Sequence, residues 1–144
     1  MKKGVVIFFG LIVLIAGCKK DNAIKSLQQE LSGKWELTKI TGGLAGTTTE
    51  YPPGNGNFIS FAGNGFTKNI AINDTVYNVV GTFNIYTGKP CDNVPETTLI
   101  ELHDYLSSSS YGYKNEIILS NGELSLSDTP CIADGITSFY RKIK

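Results

Sequence analysis

The sequence predicts an all-β domain of eight short antiparallel strands, arranged as an up-and-down barrel or a sandwich. Three observations carry that expectation. From Gly33 onward the apolar residues recur with a period of two, and no helical period intervenes. Asn64-Gly65 and Asn121-Gly122 stand between apolar runs, where such pairs favour tight hairpins. Sixteen Gly among 144 residues supply the turns, while 41% hydrophobic residues supply one core.

The N-terminal segment reads as an address. Met1-Lys-Lys is a short positive region, and Val5 to Ile15 is an apolar core of signal-peptide length, too short for a comfortable membrane span. Leu14-Ile-Ala-Gly-Cys18 resembles the lipobox of bacterial lipoproteins. That resemblance implies removal of residues 1–17 and transfer of a diacylglycerol to the Cys18 thiol, which becomes the new N-terminus. Two or three acyl chains at ~0.8 kcal/mol per buried CH₂ make a stable anchor, so the membrane is one expected partner. Lys19 stands where an Asp would resemble an inner-membrane retention signal, which implies the outer membrane. Lys19-Lys-Asp-Asn22 resembles the charged tags that send some lipoproteins to the cell surface, so either face of that membrane is open. Losing Lys2 and Lys3 leaves 11 of the 13 basic residues against 13 acidic ones, a balance that speaks against nucleic acid.

Residues 18–32 form a lipidated tether. Ile24, Leu27 and Leu31 have helical spacing, with Asp21 or Asn22 as N-cap and Gly33 as a stop, so a short helix or a marginally helical tether is expected. The barrel domain then occupies 33–144. Trp35 and Leu37 alternate with Lys34, Glu36 and Thr38 on the first strand. Thr41 to Gly56 is too rich in Gly and Pro for regular structure and reads as a long loop. Phe58 to Phe61 and Phe66 to Ile72 follow as a hairpin through Asn64-Gly65. After a turn at Asn73-Asp74, Tyr77, Val79, Phe83 and Ile85 share one face of the strand from Val76 to Tyr86. Gly81 lies on that same face, which predicts a bend or bulge. Thr98 to Leu106 is the fifth strand, and Tyr113 to Leu119 pairs across Asn121-Gly122 with Glu123 to Ser127. Ile136 to Ile143 is the eighth.

This pattern resembles the lipocalin-like bacterial lipoproteins over nearly all of the mature chain. Gly33-Lys34-Trp35 stands where lipocalins have Gly-x-Trp on the first strand. Thr41 to Gly46, Gly81 to Ile85, Leu124 to Asp128 and Phe139-Tyr-Arg141 fit the spacing of that group. The resemblance implies a single up-and-down eight-stranded barrel with Gly33, Trp35 and Arg141 as its structural closure. An Arg from the last strand would cover the first-strand Trp, and Arg141 and Trp35 are the only Arg and Trp in the chain. A guanidinium over an indole contributes roughly 0.5–2 kcal/mol.

Once Cys18 is lipidated, Cys91 and Cys131 remain as a pair in an oxidising envelope, either disulfide-bonded or as free thiols. Their loops open at opposite ends of a strict eight-stranded meander, so bonding requires one of them to fold along the wall or the strand count to differ by one. His103, the only His, shares the outer face with Glu101, where a solvated face is the expected reading and an acid/base pair the rival one. No Cys or second His stands at zinc-ligand spacing, no loop has a calcium pattern, and no phosphate-cradling Gly motif follows a strand, so no metal or cofactor is expected. Nothing assembles a nucleophile, base and orienter, so the chain is not expected to be an enzyme.

The barrel mouth is built from the loops after strands one, three, five and seven. They bring Leu44, Tyr51 and Tyr111 to one rim, with Tyr113 just below, as candidate ligand contacts. Two functions follow. One is a membrane-anchored barrel that takes up a small apolar or amphipathic ligand. The other is a barrel filled by its own side chains whose loops bind a protein or glycan partner, since eight strands enclose an interior that side chains can fill.

Overall fold

The structure is a computed structural model that describes residues 22–73, 75–105 and 112–144. Cys18, Tyr111 and the turn residue Asp74 lie outside the described residues. The chain divides into two units, Met1–Glu30 and Leu31–Lys144. Helix α1 spans 22–31, in the helical period set by Ile24, Leu27 and Leu31, and all but its last residue belongs to the first unit. The second unit starts two residues earlier than the expected boundary at Gly33, because Leu31 is completely buried and belongs to the barrel core.

The second unit is a closed antiparallel barrel of eight strands with one extra strand. Its elements are β1 (Gly33–Gly42), β2 (Thr47–Glu50), β3 (Phe58–Ala62), β4 (Gly65–Ile72), β5 (Thr75–Gly88), β6 (Thr97–Asp104), β7 (Tyr113–Ser120), β8 (Glu123–Asp128) and β9 (Ile136–Ile143). Sequential neighbours pair from β3 to β9, and β9 closes on β1 along nearly its whole length, from Lys34↔Ile143 to Gly42↔Ile136. Closure of β9 on β1 pairs the edges that an open eight-stranded sheet would expose, while the short extra strand β2 keeps an outer edge.

The long loop is where the expectation of irregular structure fails. Thr47–Glu50 forms β2, antiparallel to Lys39–Gly42. Three consecutive Thr are good strand formers, and β1 has a free edge there because β3 pairs only with Gly33–Glu36. Residues 51–57 then return along the wall. Tyr51 N donates to Thr38 O at 2.8 Å, Asn55 Nδ2 to Leu37 O at 2.9 Å, and Leu37 N to Asn57 O at 3.0 Å. These bonds replace the missing ladder between the two strands.

Turn chemistry follows the sequence with one shift. Asn121 and Gly122 both have positive φ, 52° and 77°, as a type I′ turn demands. The earlier hairpin turns at Gly63-Asn64 instead, since Ala62 pairs with Gly65 and Gly63 carries the positive φ of 58°. Gly81 is required by close approach. A Cβ there would overlap the His103 carbonyl oxygen and lie 2.7 Å from Phe66 Cε1, so β5 and β6 can meet only over a glycine.

Cys91 and Cys131 form a disulfide, with Cα atoms 6.1 Å apart. The register explains how loops from opposite ends of the meander reach each other. Strand β8 is short and stops at Asp128, which is level with Asn115 and, through it, with Ile100. Ile100 is only three residues past the start of β6 at Thr97, where the Cys91 loop re-enters the sheet. Leu99 points outward by its pairing with Tyr86 and Glu116 yet is completely buried, so this stretch of outer wall is covered.

Candidate binding cavity

The barrel interior has two parts. At the closed end it is filled: Leu31, Trp35, Ile100 and Leu124 have 0–1% exposure, and Phe61 meets Phe83 edge-on with ring centroids 5.1 Å apart. Trp35 Nε1 donates to Leu31 O at 2.7 Å, which gives the indole a partner away from water and caps a carbonyl at the helix end. Gly33 has a φ of 121°, and a Cβ there would lie 3.1 Å from Lys142 Cε, so the glycine lets the Lys142 chain pass.

The cation over Trp35 is Lys142, not Arg141. Lys142 Nζ lies 5.0 Å from the indole centroid. The reason is parity: Trp35 pairs with Lys142, whereas Arg141 pairs with Glu36 and so points to the other face of the sheet. There Arg141 Nη2 and Nε donate to Glu36 Oε2 at 2.5 and 3.1 Å, and Gly54 N donates to Oε1 at 2.6 Å. The return loop thus covers Glu36, which is buried although it faces outward. Arg141 holds the Glu36 carboxyl below the usual carboxylate range, with the Gly54 and Asn55 amides adding to the effect and burial opposing it. A depressed carboxylate stabilises the fold above its unfolded-state value, and that contribution is lost as pH falls through the folded-state value. Arg141→Gln should therefore lower the melting temperature at neutral pH. The gap from the wild type should close as pH drops below the ordinary carboxylate range near 4.5. A gap that stays constant between pH 7 and 3 in thermal melts would dissociate this pair from stability.

Toward the open end the side chains no longer fill the barrel. A cavity of about 310 Å³ is lined mainly by Ile59, Phe66, Ile70, Val79, Leu102 and Leu126, with Tyr140 at its side. Its volume is at the lower end of the range for small-molecule sites. A second cavity of about 280 Å³ opens between β1 and β4, where the two strands part, and shares Lys68, Ile70, Ile136, Ser138 and Tyr140 with the first. Burial pushes the Tyr140 hydroxyl up to about 12, so it stays protonated as a donor.

Polar groups enter this apolar lining at a few points. Lys68, Asp104, Asn115 and Asp128 all face the main cavity. Asp128 is held by its neighbours: Asn115 Nδ2 donates to Oδ1 at 3.1 Å, and Ile136 N donates to Oδ2 at 3.0 Å. Lys68 is half-buried, and burial lowers its ammonium from the usual lysine range while Asp128 partly restores it.

The expected rim residues separate. Tyr113 lines the main cavity while remaining 67% exposed, and Tyr51 lines the second cavity. Leu44 lines neither cavity and is 90% exposed in the turn between β1 and β2. The rim therefore does not gather Leu44 and Tyr51 at one edge, because residues 51–57 run down the wall and not across the mouth. His103 and Glu101 share the outer face as expected, with Nε2 and Oε2 3.7 Å apart.

Sequence reasoning passed over Lys68, Asp104 and Asp128. The signal was present in the parity of their strands. Lys68 alternates with Phe66 and Ile70, Asp104 with Leu102, and Asp128 with Leu126, so each is a charge on an apolar face. Comparison with protein-family models, with curated proteins and with solved structures finds no match.

Proposed function

We propose that this protein is a membrane-anchored, non-enzymatic binding protein whose barrel takes up a small apolar or amphipathic ligand. One observation carries the reading: the core is packed solid at the closed end and gives way to an apolar cavity of about 310 Å³ at the other. A barrel needed only as a scaffold would gain from filling that space, because lost contacts around a void cost stability. The lipobox-like Leu14-Ile-Ala-Gly-Cys18 supports anchoring through Cys18 in the outer membrane, and the Cys91–Cys131 disulfide suits an oxidising envelope. Lipidation would place the chain at a source of amphipathic molecules.

Native mass spectrometry of the protein released from bacterial membranes tests this directly. The expected result is a discrete small-molecule adduct that disappears on denaturation and whose mass gives the ligand class. Bare protein at its calculated mass would move the reading to a scaffold whose exposed loop residues, Leu44 among them, contact a protein or glycan.

A further inference from the structure

Lys68 is the feature of the cavity that packing does not explain. It sits mid-strand on β4 with Ile59 and Val79 as its cross-strand neighbours, so both flanking side chains are aliphatic. It lines the main cavity and the second one alike, and so stands where the two meet. Among the described residues no hydrogen bond or ion pair reaches its ammonium. Asp128, itself held by Asn115 and the Ile136 amide, acts on it through charge. Asp104, the other carboxylate facing the cavity, has an interaction of its own. A partly desolvated cation among aliphatic neighbours is costly unless something pairs with it.

From this geometry we infer that the ligand of the barrel is a monoanionic amphiphile, an aliphatic carboxylic acid in its simplest form, whose head pairs with Lys68. The inference rests on the cavity-binding reading above and names the charge of what is bound. One negative charge is specified by the surroundings. Lys68 offers one positive charge, while Asp104 and Asp128 face the same space and oppose any anionic group that does not pair directly with Lys68. The Tyr140 side chain lies along the same cavity, and its hydroxyl, kept protonated by burial, brings no opposing charge. The apolar body of the ligand would lie against Phe66, Leu102 and Leu126.

The test uses the full-length protein in phosphatidylcholine vesicles and a dodecanoate carrying a photoreactive diazirine on its chain. Labelling should map to cavity-lining segments of β4, β6 and β8. Unlabelled dodecanoate should compete about tenfold better than dodecanol, as expected for one charge-assisted hydrogen bond, and dodecylamine should compete least. Lys68→Met should lower labelling by about the same factor and Lys68→Arg should retain it, with melting temperatures recorded for both. Equal competition by dodecanol and dodecanoate on the wild type overturns the inference without reference to any variant. Equal labelling of a folded Lys68→Met does the same, and both results leave the cavity as a site for neutral ligands. Absence of cavity labelling by any of these probes removes the inference together with the reading beneath it.

Discussion

Replacing Trp35 with Ala is expected to remove roughly 3–5 kcal/mol of stability, the cost of deleting a large aromatic from a packed core. Native domains have only about 5–15 kcal/mol to lose, so the variant should give up a large share of its stability. Three separate losses combine at this one position. The indole is 1% exposed, so alanine leaves a void against completely buried Leu31 and Ile59. The Leu31 carbonyl loses its donor at 2.7 Å in a site closed to water. The Lys142 ammonium, 5.0 Å from the ring centroid, loses the face it rests on. Trp35→Phe separates these terms in part, because it keeps an aromatic ring while removing the N–H together with the pyrrole half of the indole. Urea unfolding followed by circular dichroism should place Trp35→Phe between the wild type and Trp35→Ala. A loss below about 1 kcal/mol for Trp35→Ala would show that the closed end is not what holds the barrel shut, since core truncations of this size cost several times more.

The second large effect is expected from the Cys91–Cys131 bond. Its sequence separation is 40 residues, and in the chain-entropy account closing such a loop in the unfolded state contributes about 4 kcal/mol. For a barrel of this size the double variant Cys91→Ser with Cys131→Ser should melt roughly 10–20 °C lower. Reducing the wild type with dithiothreitol should give the same shift, and adding reductant to the double variant should change nothing. An unchanged melting temperature in the double variant would mean that the unfolded chain gains no freedom from losing the bond.

The strand pattern was legible in the sequence because the period-two alternation leaves each strand one way to bury its apolar face. That argument placed all eight barrel strands, put Phe83 and Ile85 inside and Glu101 with His103 outside, and fixed Asn121-Gly122 as a turn. It also contained the polar cavity residues, since Lys68 carries the parity of Phe66 and Ile70. A charge at such a position reads as a tolerated exception until the space in front of it is known.

Other features depended on contacts between segments far apart in the chain. Strand β2 exists because β3 leaves the edge of β1 free beyond Glu36, and the strand propensity of its three Thr does not by itself reveal that edge. Arg141 and Lys142 are adjacent cations, and only the registration of β9 on β1 decided which of them meets Trp35 and which meets Glu36. A one-residue slip exchanges the two roles, and composition does not distinguish them. The disulfide was chemically available from the sequence, but the short β8 and its register with β6 through β7 are what bring the two loops together. Sequence alone thus determined which residues face inward, through the alternation of the backbone. The tertiary structure decided how far inward-facing side chains fill the barrel, because that depends on strand lengths and offsets summed around a closed sheet.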